Sequence, residues 1–274
     1  MKIITLVDNT AGAVCPGEHG LSVWVETEDY CLLSDCGASG LFVQNADALG
    51  LDLTRVDAVV LSHGHYDHTG GVLDFVGVNS RAGIYLQKAA GGAFYHYSEG
   101  EEERYIGMDP RIRKLSQLVW LEGDYRLNEE CFLFSGFGEK DYPAWSNREL
   151  KEKVEGSLIQ DGFAHEQCLA ICHKGRRILL SGCAHSGILT ILRRYKELFH
   201  QDPDVVISGF HMSKKTDYTA EERDYIVRTA YELKETGSLF YTGHCTGQKA
   251  FALMKGILGD QLQAFYSGAE IIRG

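Results

Sequence analysis

Three histidines and an aspartate fall within six positions of the stretch LSHGHYDHTGG, residues 61–71. Residues two apart in an extended chain point to the same side, so His63 and His65 can converge on one point. Asp67 follows in the same alternation, and His68 opens a second direction. Imidazole and carboxylate together suit zinc, iron or manganese, whereas a purely structural zinc cage would favour thiolates. The pattern therefore predicts a metal site rather than a solvated polar loop.

A buried strand is expected to position this cluster. Residues 56–61 (VDAVVL) form a short, nearly all-apolar run rich in β-branched side chains, which is typical of a strand buried on both faces. Gly70 and Gly71, followed by VLDFV, indicate a turn into a helix. The cluster then lies just beyond the carboxyl end of a strand, where open α/β sheets usually hold their ligands.

Three further histidines follow short apolar runs at small-residue turns. They are His185 in ILLSGCAHSG, His211 in VVISGFHMS and His244 in FYTGHCTG. One such histidine is usually an ordinary core or surface residue, but three indicate strand ends gathered round one site. Asp35 in LLSDCG has the same setting and is expected to orient a ligand or a loop. His165 in DGFAHEQ is intermediate. Four histidines lack this setting and are not expected at the site: His19, His96, His173 and His200.

The bulk composition is that of an ordinary globular protein. The chain has 274 residues, 44% of them hydrophobic and 24% charged, and a net charge of −11. This charge disfavours non-specific nucleic-acid binding, so we expect no nucleic-acid partner. The first residues, MKIITLVDNT, are too short and polar for a signal peptide, and no window resembles a membrane span. The eight cysteines then indicate reduced thiols in a cytoplasmic protein that does not bind membranes. The oligomeric state stays open.

Strands and helices are expected to alternate on both sides of a distinct middle segment. Strands are predicted at residues 2–7, 21–26, 30–34, 56–61, 84–86, 168–172, 177–181, 204–208 and 239–242. Helices are predicted at residues 42–51, 188–198, 219–235 and 248–258, the third opened by a capping box at Thr219 and Glu222. This order predicts an α/β fold with helices outside packed sheets.

The middle segment, residues 88–157, differs in composition. It contains the charged run EGEEER, aromatic pairs and the glycine-bearing FLFSGFGEKDYPAW. We expect a lid-like insertion of loops and a short helix that covers the site. Its candidates for stacking on a flat substrate are Phe94, Tyr95, Tyr142 and Trp145, although each could equally pack the segment onto the body of the protein.

The HxHxDH motif at His63 to His68 resembles that of the metallo-β-lactamase fold superfamily, and the resemblance covers the whole chain. HGLSVWVE, SGCAHSG, SGFHMS and GHCTG further resemble the branch named for an archaeal dihydropterin synthase of methanopterin biosynthesis. This resemblance implies an α/β fold of the four-layer αβ/βα sandwich type, with two mixed β-sheets flanked by helices. It implies one domain over residues 1–274, with the insertion at about 88–157.

The resemblance also implies a site for two divalent metal ions, of which zinc is favoured and manganese or iron is possible. His63 and His65 would bind one metal, and Asp67 and His68 the other. His244 would complete the second set, and His185 is the best choice for the third ligand of the first.

One position departs from the superfamily pattern. Many members carry a metal-bridging aspartate directly after a strand-end glycine, where this chain has Gly182 followed by Cys183. The thiol could replace the bridge or leave the role to His185. Because a bridging thiolate would favour soft metals, which the hard carboxylate of Asp67 does not share, we expect that His185 is the ligand. Cys183 is expected to line the site without a metal–sulfur bond.

Such a site points to hydrolysis. A divalent metal lowers the pKa of bound water to roughly 7, so that hydroxide becomes available at neutral pH. Asp67 could accept the proton of the nucleophile, and His211 could hydrogen-bond a substrate oxyanion; these two are the catalytic candidates. No Gly-x-Ser-x-Gly elbow and no P-loop offers other chemistry.

Three functions are compatible with these residues. The favoured one is a metal-dependent hydrolase acting on a small anionic metabolite, a phosphoester or a cyclic amide. The second is a synthase resembling the namesake of the branch, which would condense a pterin diphosphate with an arylamine. The third is a non-catalytic metal-binding sensor, against which the complete HxHxDH motif argues.

Overall fold

The protein is described by a computed structural model over residues 1–273. Within that range there are eighteen strands: β1 Lys2–Val7, β2 Ser22–Glu26, β3 Cys31–Ser34, β4 Ala58–Val60, β5 Gly83–Gln87, β6 Phe94–His96, β7 Arg104–Tyr105, β8 Leu118–Leu121, β9 Tyr125–Arg126, β10 Cys131–Phe134, β11 Leu150–Val154, β12 Ser157–Gln160, β13 Cys168–His173, β14 Arg176–Leu180, β15 Val205–Ile207, β16 Leu239–Thr242, β17 Leu262–Ala264 and β18 Glu270–Ile272. The α-helices of the same range are α1 Leu41–Ala48, α2 Tyr66–Thr69, α3 Val72–Val78, α4 Ala144–Asn147, α5 Ile188–Phe199, α6 Ala220–Glu235 and α7 Gln248–Leu258.

Two seven-stranded sheets form the body of the molecule. The first has the order β18-β1-β2-β3-β4-β5-β8, and the second has the order β17-β16-β15-β14-β13-β10-β9. Both are mixed: β3, β4, β5 and β8 run parallel, as do β14, β15, β16 and β17, while the other pairs are antiparallel. A third, four-stranded sheet has the order β12-β11-β6-β7.

Alternate side chains of the central strands fill different layers. Val60 of β4 and Leu180 of β14 pack in the cluster between the two large sheets. Val59 instead joins the cluster under α1 and α3, which includes Phe42, and Leu179 joins the cluster under α5, α6 and α7. Because successive side chains of a strand point to opposite faces, strands covered on both sides are apolar throughout. The resulting order of helices, sheet, sheet and helices confirms the predicted four-layer αβ/βα sandwich.

Most of the predicted elements are present with small changes at their ends. The hairpin of β13 and β14 turns at Lys174 and Gly175, which both have positive φ. Helix α6 begins with a complete capping box, in which Thr219 accepts from the Glu222 backbone amide and the Glu222 carboxylate accepts from that of Thr219. Among the described helices, none has the length and apolar composition required to cross a membrane.

The segment 88–157 differs from the insertion of loops that its composition suggested. Strand β8 extends the first large sheet, and β9 and β10 extend the second, so part of the segment belongs to the body of the fold. Strands β6, β7 and β11 form the small sheet together with β12. Only this small sheet and the region around α4 lie beside the predicted site. These strands have only two to five residues each, which is too short for their periodicity to be recognised from sequence.

Candidate metal centre

The carboxyl ends of five strands meet at one edge of the two large sheets. The strands are β3 and β4 of the first sheet and β14, β15 and β16 of the second. The chain leaves each strand through a turn that carries polar or thiol side chains toward a common point. The strand-end residues concerned are Asp35, Ser62, His63, Cys183, His185, His211 and His244.

Three buried imidazoles form the first group of candidate ligands. The Nε2 atoms of His63 and His185 lie 3.3 Å apart. The ring of His65 has its centroid 4.6 Å from that of His63 and 4.9 Å from that of His185. Each of the three side chains is almost completely buried. The structure therefore brings together the three residues that the sequence assigned to one metal.

Asp67, His68 and His244 form a second group next to the first. The Asp67 carboxylate lies 3.4 Å from His244 Nε2 and 3.7 Å from His68 Nε2. One ligand atom from each of these residues and from Cys183 fits within a mutual distance of 4.8 Å. The residues that the sequence assigned to the second metal therefore also converge.

Cys183 is common to the two groups. Its Sγ atom lies 3.2 Å from His68 Nε2 in the second group and also clusters with His63 and His185 of the first. The thiol thus stands among potential ligand atoms on both sides. The position of Cys183 is that of a side chain shared between two adjoining groups, and whether it forms a metal–sulfur bond stays a prediction.

Neighbouring side chains orient the motif histidines. The Asp35 carboxylate lies 2.7 Å from His68 Nδ1 and also accepts from the amide and hydroxyl of Ser62. The Ser62 hydroxyl lies 2.9 Å from His63 Nδ1. These contacts engage Nδ1 and leave Nε2 facing the centre of the site. Asp35 therefore has the orienting position that its strand-end setting predicted.

Two asparagines contact the remaining ligand histidines, and neither was recognised from sequence. The Asn9 side-chain oxygen lies 2.8 Å from His244 Nδ1, and that of Asn147 lies 3.2 Å from His185 Nδ1. Asn9 follows the end of β1, so its strand-end position is a signal that could have been used. Asn147 ends a helix of four residues and carried no such signal.

Burial and charge set the protonation of the site. Burial, reinforced by the neighbouring imidazoles, lowers the pKa of His63 and His185 well below the usual value, which favours the neutral form that binds metal. In the second group, burial disfavours both the negative charge of Asp67 and the positive charge of His244. The Asp67 carboxylate nevertheless raises the pKa of His244 to about 9, and His68 and His244 hold the pKa of Asp67 well below its usual range.

The donor set fits a transition-metal ion. His65 Nε2 is buried and has no hydrogen-bond partner among the described residues; the Asp161 carboxylate is 3.9 Å away. A buried nitrogen without a partner is costly unless something else satisfies it. Metal coordination would do so, and a set of imidazoles with one carboxylate and one thiol suits zinc or iron.

His165 and Glu166 lie beside the candidate ligands, and His165 also forms a buried group with His65 and Asp161. His165 Nδ1 accepts from the backbone amide of Gly64, and its Nε2 lies 3.1 Å from the Asp161 carboxylate, so both ring nitrogens are engaged. The Glu166 carboxylate accepts from the backbone amide of His185 at 2.7 Å. This geometry favours His185 over its neighbours as the third ligand of the first group.

His211 and His19 flank the ligands. The ring of His211 has its centroid 4.2 Å from that of His185, and its Nε2 lies 3.3 Å from the Ser146 carbonyl oxygen. His19, which was not expected at the site, stacks on His244 and approaches the Asp67 carboxylate to 3.4 Å. It lies well inside the loop between β1 and β2 rather than directly after a strand, so the strand-end criterion missed it.

Several strand-end residues adopt the left-handed backbone conformation. Asp35, Ala184, His211 and His244 have φ values of 59°, 54°, 49° and 47°. L-residues rarely adopt this conformation, and its concentration at one edge of the sheets is typical of a functional site.

Members of both groups, namely His65, Asp67, Cys183, His185 and His244, line a cleft of about 700 Å³. Of the four aromatic residues proposed to stack on a substrate, Trp145 lines this cleft in the described structure. Phe94 is instead buried against the ring of His165, and Tyr95 packs against Tyr105. Tyr66, from the motif itself, provides a second aromatic wall.

Comparison with known proteins agrees with this architecture. The family model of the metallo-beta-lactamase superfamily matches residues 15–221. The crystal structure of Tm1679, a metal-dependent hydrolase of the beta-lactamase superfamily, superposes with a TM-score of 0.78 at 29% identity, covering 100% of this chain and 99% of that one.

Two archaeal relatives match over nearly their whole length. The uncharacterized protein MJ0448 of Methanocaldococcus jannaschii is 28% identical, with 96% of this chain and 95% of the relative covered. The 7,8-dihydropterin-6-methyl-4-(beta-D-ribofuranosyl)-aminobenzene-5′-phosphate synthase of the same organism is 26% identical, with 99% and 96% covered. With the family model matching most of its length, the chain belongs to the metallo-beta-lactamase superfamily.

Proposed function

We propose that this protein is a metal-dependent hydrolase that acts on a small anionic metabolite, a phosphoester or a cyclic amide. The observation that carries the proposal is the convergence of His63, His65 and His185, and of Asp67, His68 and His244, beside one cleft. A membership in a superfamily of metal-dependent enzymes supports it. We also propose a cytoplasmic location, which the eight free thiols support.

The two groups would hold two divalent ions, with zinc favoured and manganese or iron as alternatives. When bound, such ions lower the pKa of water and polarise the oxygen of the scissile bond. The protein itself contributes the orientation of the ligands. Asp35 and Ser62 fix the motif histidines, and Asn9 fixes His244, so the ligand nitrogens need not reorganise when an ion enters.

Asp67 and His211 are the proposed catalytic side chains. The carboxylate of Asp67 is ionised and faces the cleft, where it can accept a proton from the nucleophile. With the His211 Nε2 proton directed at the Ser146 carbonyl, Nδ1 of the neutral ring is an acceptor. His211 would then donate to an oxyanion only in its protonated form, a narrower role than the one we expected from sequence.

A synthase is the second candidate, and the 26% identity to the archaeal synthase supports it. A pterin diphosphate could bind the same ions through its phosphates, so the two reactions share this site. The two are distinguished by the co-substrate, since a condensation releases diphosphate only when an arylamine is present. A non-catalytic sensor remains the third candidate, but the complete set of ligands speaks against it.

The test is metal analysis of protein purified without chelator, followed by turnover assays with Zn²⁺, Mn²⁺ and Fe²⁺. The substrates are bis-p-nitrophenyl phosphate, a dihydropyrimidine as cyclic amide, and a pterin diphosphate with and without an arylamine. We expect about two ions per chain and hydrolysis that does not require the arylamine. Diphosphate release that depends strictly on the arylamine would contradict the proposed hydrolase and support the synthase.

Ligand variants provide the control. His63→Ala and His244→Ala should each lose metal and reduce turnover by about 10²-fold or more, because each removes a ligand of a different group. His200→Asn should retain both properties, since His200 is exposed at the end of α5 and its left-handed conformation (φ 58°) suits asparagine. Full metal content in both ligand variants would contradict the proposed site.

A further inference from the structure

We infer that the mouth of the cleft is a second anion-binding subsite, formed by Arg104, Arg148 and Lys215. Its ligand is the second of two negatively charged groups on one substrate, separated from the first by an apolar or aromatic part. This inference rests on the proposed function, in which the first anionic group lies at the ligand groups, and it narrows the substrate class.

The first support is charge. Arg104, Arg148 and Lys215 all line the cleft, and within residues 1–273 none of them has a carboxylate oxygen within salt-bridge distance of 4.0 Å. Neighbouring charges are already neutralised: Lys214 Nζ lies 2.7 Å from both carboxylate oxygens of Glu222. Three positive charges therefore remain at the opening of a cleft in a protein of net charge −11. Such a local excess attracts anions that the rest of the surface repels.

The acidic residues of the lining do not cancel this excess. Asp67 belongs to the second ligand group, and the Glu149 carboxylate lies 3.0 Å from His96 Nε2. Glu101 is the one further carboxylate that lines the described cleft. Two acidic side chains, Glu101 and Glu149, thus stand against three cations, which leaves a positive excess.

The second support is position. Arg104 belongs to β7 of the small sheet, Arg148 follows α4, and Lys215 lies in the loop after β15. All three are exposed, and they reach the cleft from three separate segments of the chain. A single small anion at the ligand groups would leave these charges unused.

The wall between the two charged regions is largely apolar. Trp145 and Tyr66 line it together with Ile106 and Leu150, and the last two are only 5% and 8% exposed. A volume of about 700 Å³ is within the range of sites that enclose drug-sized molecules rather than a free phosphate ion. The cleft therefore matches a molecule with an anionic group at each end and an apolar or flat middle.

The experiment measures binding of non-hydrolysable probes to the metal-loaded protein by calorimetry. Phenylphosphonate carries one anionic head. 4-Phosphonobenzoate and 4′-phosphonobiphenyl-4-carboxylate carry the same head and a second anion at two different spans. We expect at least one of the two-headed probes to bind tenfold or more tightly than phenylphosphonate, because a charge-assisted contact in a partly enclosed site is worth about that much. This advantage should fall as salt is raised.

Variants test whether the cations at the mouth of the cleft cause the tighter binding of the two-headed probes. The double variant Arg148→Gln/Lys215→Gln should lose most of the tenfold advantage while its affinity for phenylphosphonate stays unchanged. Arg104→Gln should lose part of it. Lys114→Gln, which removes an equally exposed charge away from the cleft, should keep the whole advantage.

The results for the two kinds of probe distinguish a failure of the second subsite from a failure of the proposed function. If phenylphosphonate binds but neither two-headed probe gains, or if the double variant keeps the gain, the second subsite is wrong and the proposed function stands. If phenylphosphonate itself fails to bind the metal-loaded protein, the anion site at the ligand groups is wrong and both proposals fall.

Discussion

At the scale of single residues, the thiol of Cys183 is the side chain that the two candidate ligand groups share. It is fully enclosed beside His68 Nε2, and burial raises its pKa well above the usual range in the metal-free protein. A divalent ion reverses this preference because it binds the thiolate. The shared position makes a metal–sulfur bond the expected arrangement, contrary to what the hardness of Asp67 suggested.

We therefore predict that X-ray absorption of the loaded protein contains a metal–sulfur distance of about 2.3 Å. Cys183→Ser should remove that signal and reduce the metal content below two per chain. Cys183→Asp should restore the metal content without the sulfur signal, because a carboxylate can bridge two ions. Cys172→Ser, at the exposed cysteine, is the matched control and should change neither quantity. An unchanged sulfur signal in Cys183→Ser would disprove the assignment.

A second prediction at this scale concerns Asn9, which contacts His244 from the end of β1. Asn9→Ala should weaken metal binding by about 10-fold, because the imidazole loses the partner that sets its tautomer and orientation. Asn9→Asp keeps an acceptor oxygen at the same place and should retain the affinity. The measurement is competition against a chromophoric chelator. Equal losses in the two variants would show that the hydrogen bond to His244 is not the cause.

At the scale of elements, Gly187 joins the turn that carries His185 to helix α5. Its φ of +89° suits glycine, and a Cβ atom here would overlap the carbonyl oxygen of Asp141. The loop at Asp141 is held against the same helix by its backbone amide, which donates to the Thr190 hydroxyl at 2.8 Å. The loop can approach the helix this closely only because Gly187 has no side chain.

Gly187→Ala should destabilise the protein by about 1–3 kcal/mol more than Gly175→Ala. Both glycines have positive φ, so both substitutions cost about 1–2 kcal/mol of backbone strain. Gly175, in the hairpin between β13 and β14, has open space around it, whereas Gly187 does not. Only Gly187→Ala should also lower metal affinity, because His185 moves with the turn. Denaturant unfolding and metal titration measure the two effects; equal stability losses would contradict the steric argument.

Elements with a clear local pattern were predictable from sequence, and most of those without one were not. Helix α6 carries an apolar stripe and a capping box, β4 lies in the apolar run VDAVVL, and β14 ends in the apolar run Ile178 to Leu180, so local pattern was sufficient. Strands such as β8 and β18 have four and three residues, and their pairing partners are distant in the chain. Their strand conformation is decided by the neighbouring strands rather than by their own residues.

The site residues were predictable from sequence where metal-binding side chains directly follow a strand. This condition holds for His63, His65, Asp67 and His68, which follow β4, and for His244, which follows β16. The orienting asparagines were not predictable, because an amide side chain in a loop is common and only the folded chain brings it to an imidazole.

At the scale of the whole molecule, the net charge of −11 disfavours the approach of long polyanions. We predict that small phosphoesters are turned over at physiological salt while RNA and DNA neither compete nor are cleaved, since a long polyanion must approach the acidic surface as well as the cleft. Competition assays over a range of salt concentrations measure this. Efficient cleavage of RNA with a steep salt dependence would contradict it.

Strand β18 completes the first sheet by pairing with β1, with Ile272 opposite Ile3. During translation β1 therefore emerges with one edge unpaired, and the strand that covers it is synthesised after almost all other elements. An exposed apolar strand edge is a template for pairing with other chains. The loop after β1 also carries Asn9, which contacts His244, so this part of the candidate site requires residues that are far apart in the chain. Nascent chains of this protein are therefore expected to expose the β1 edge to pairing with other chains until β18 is synthesised.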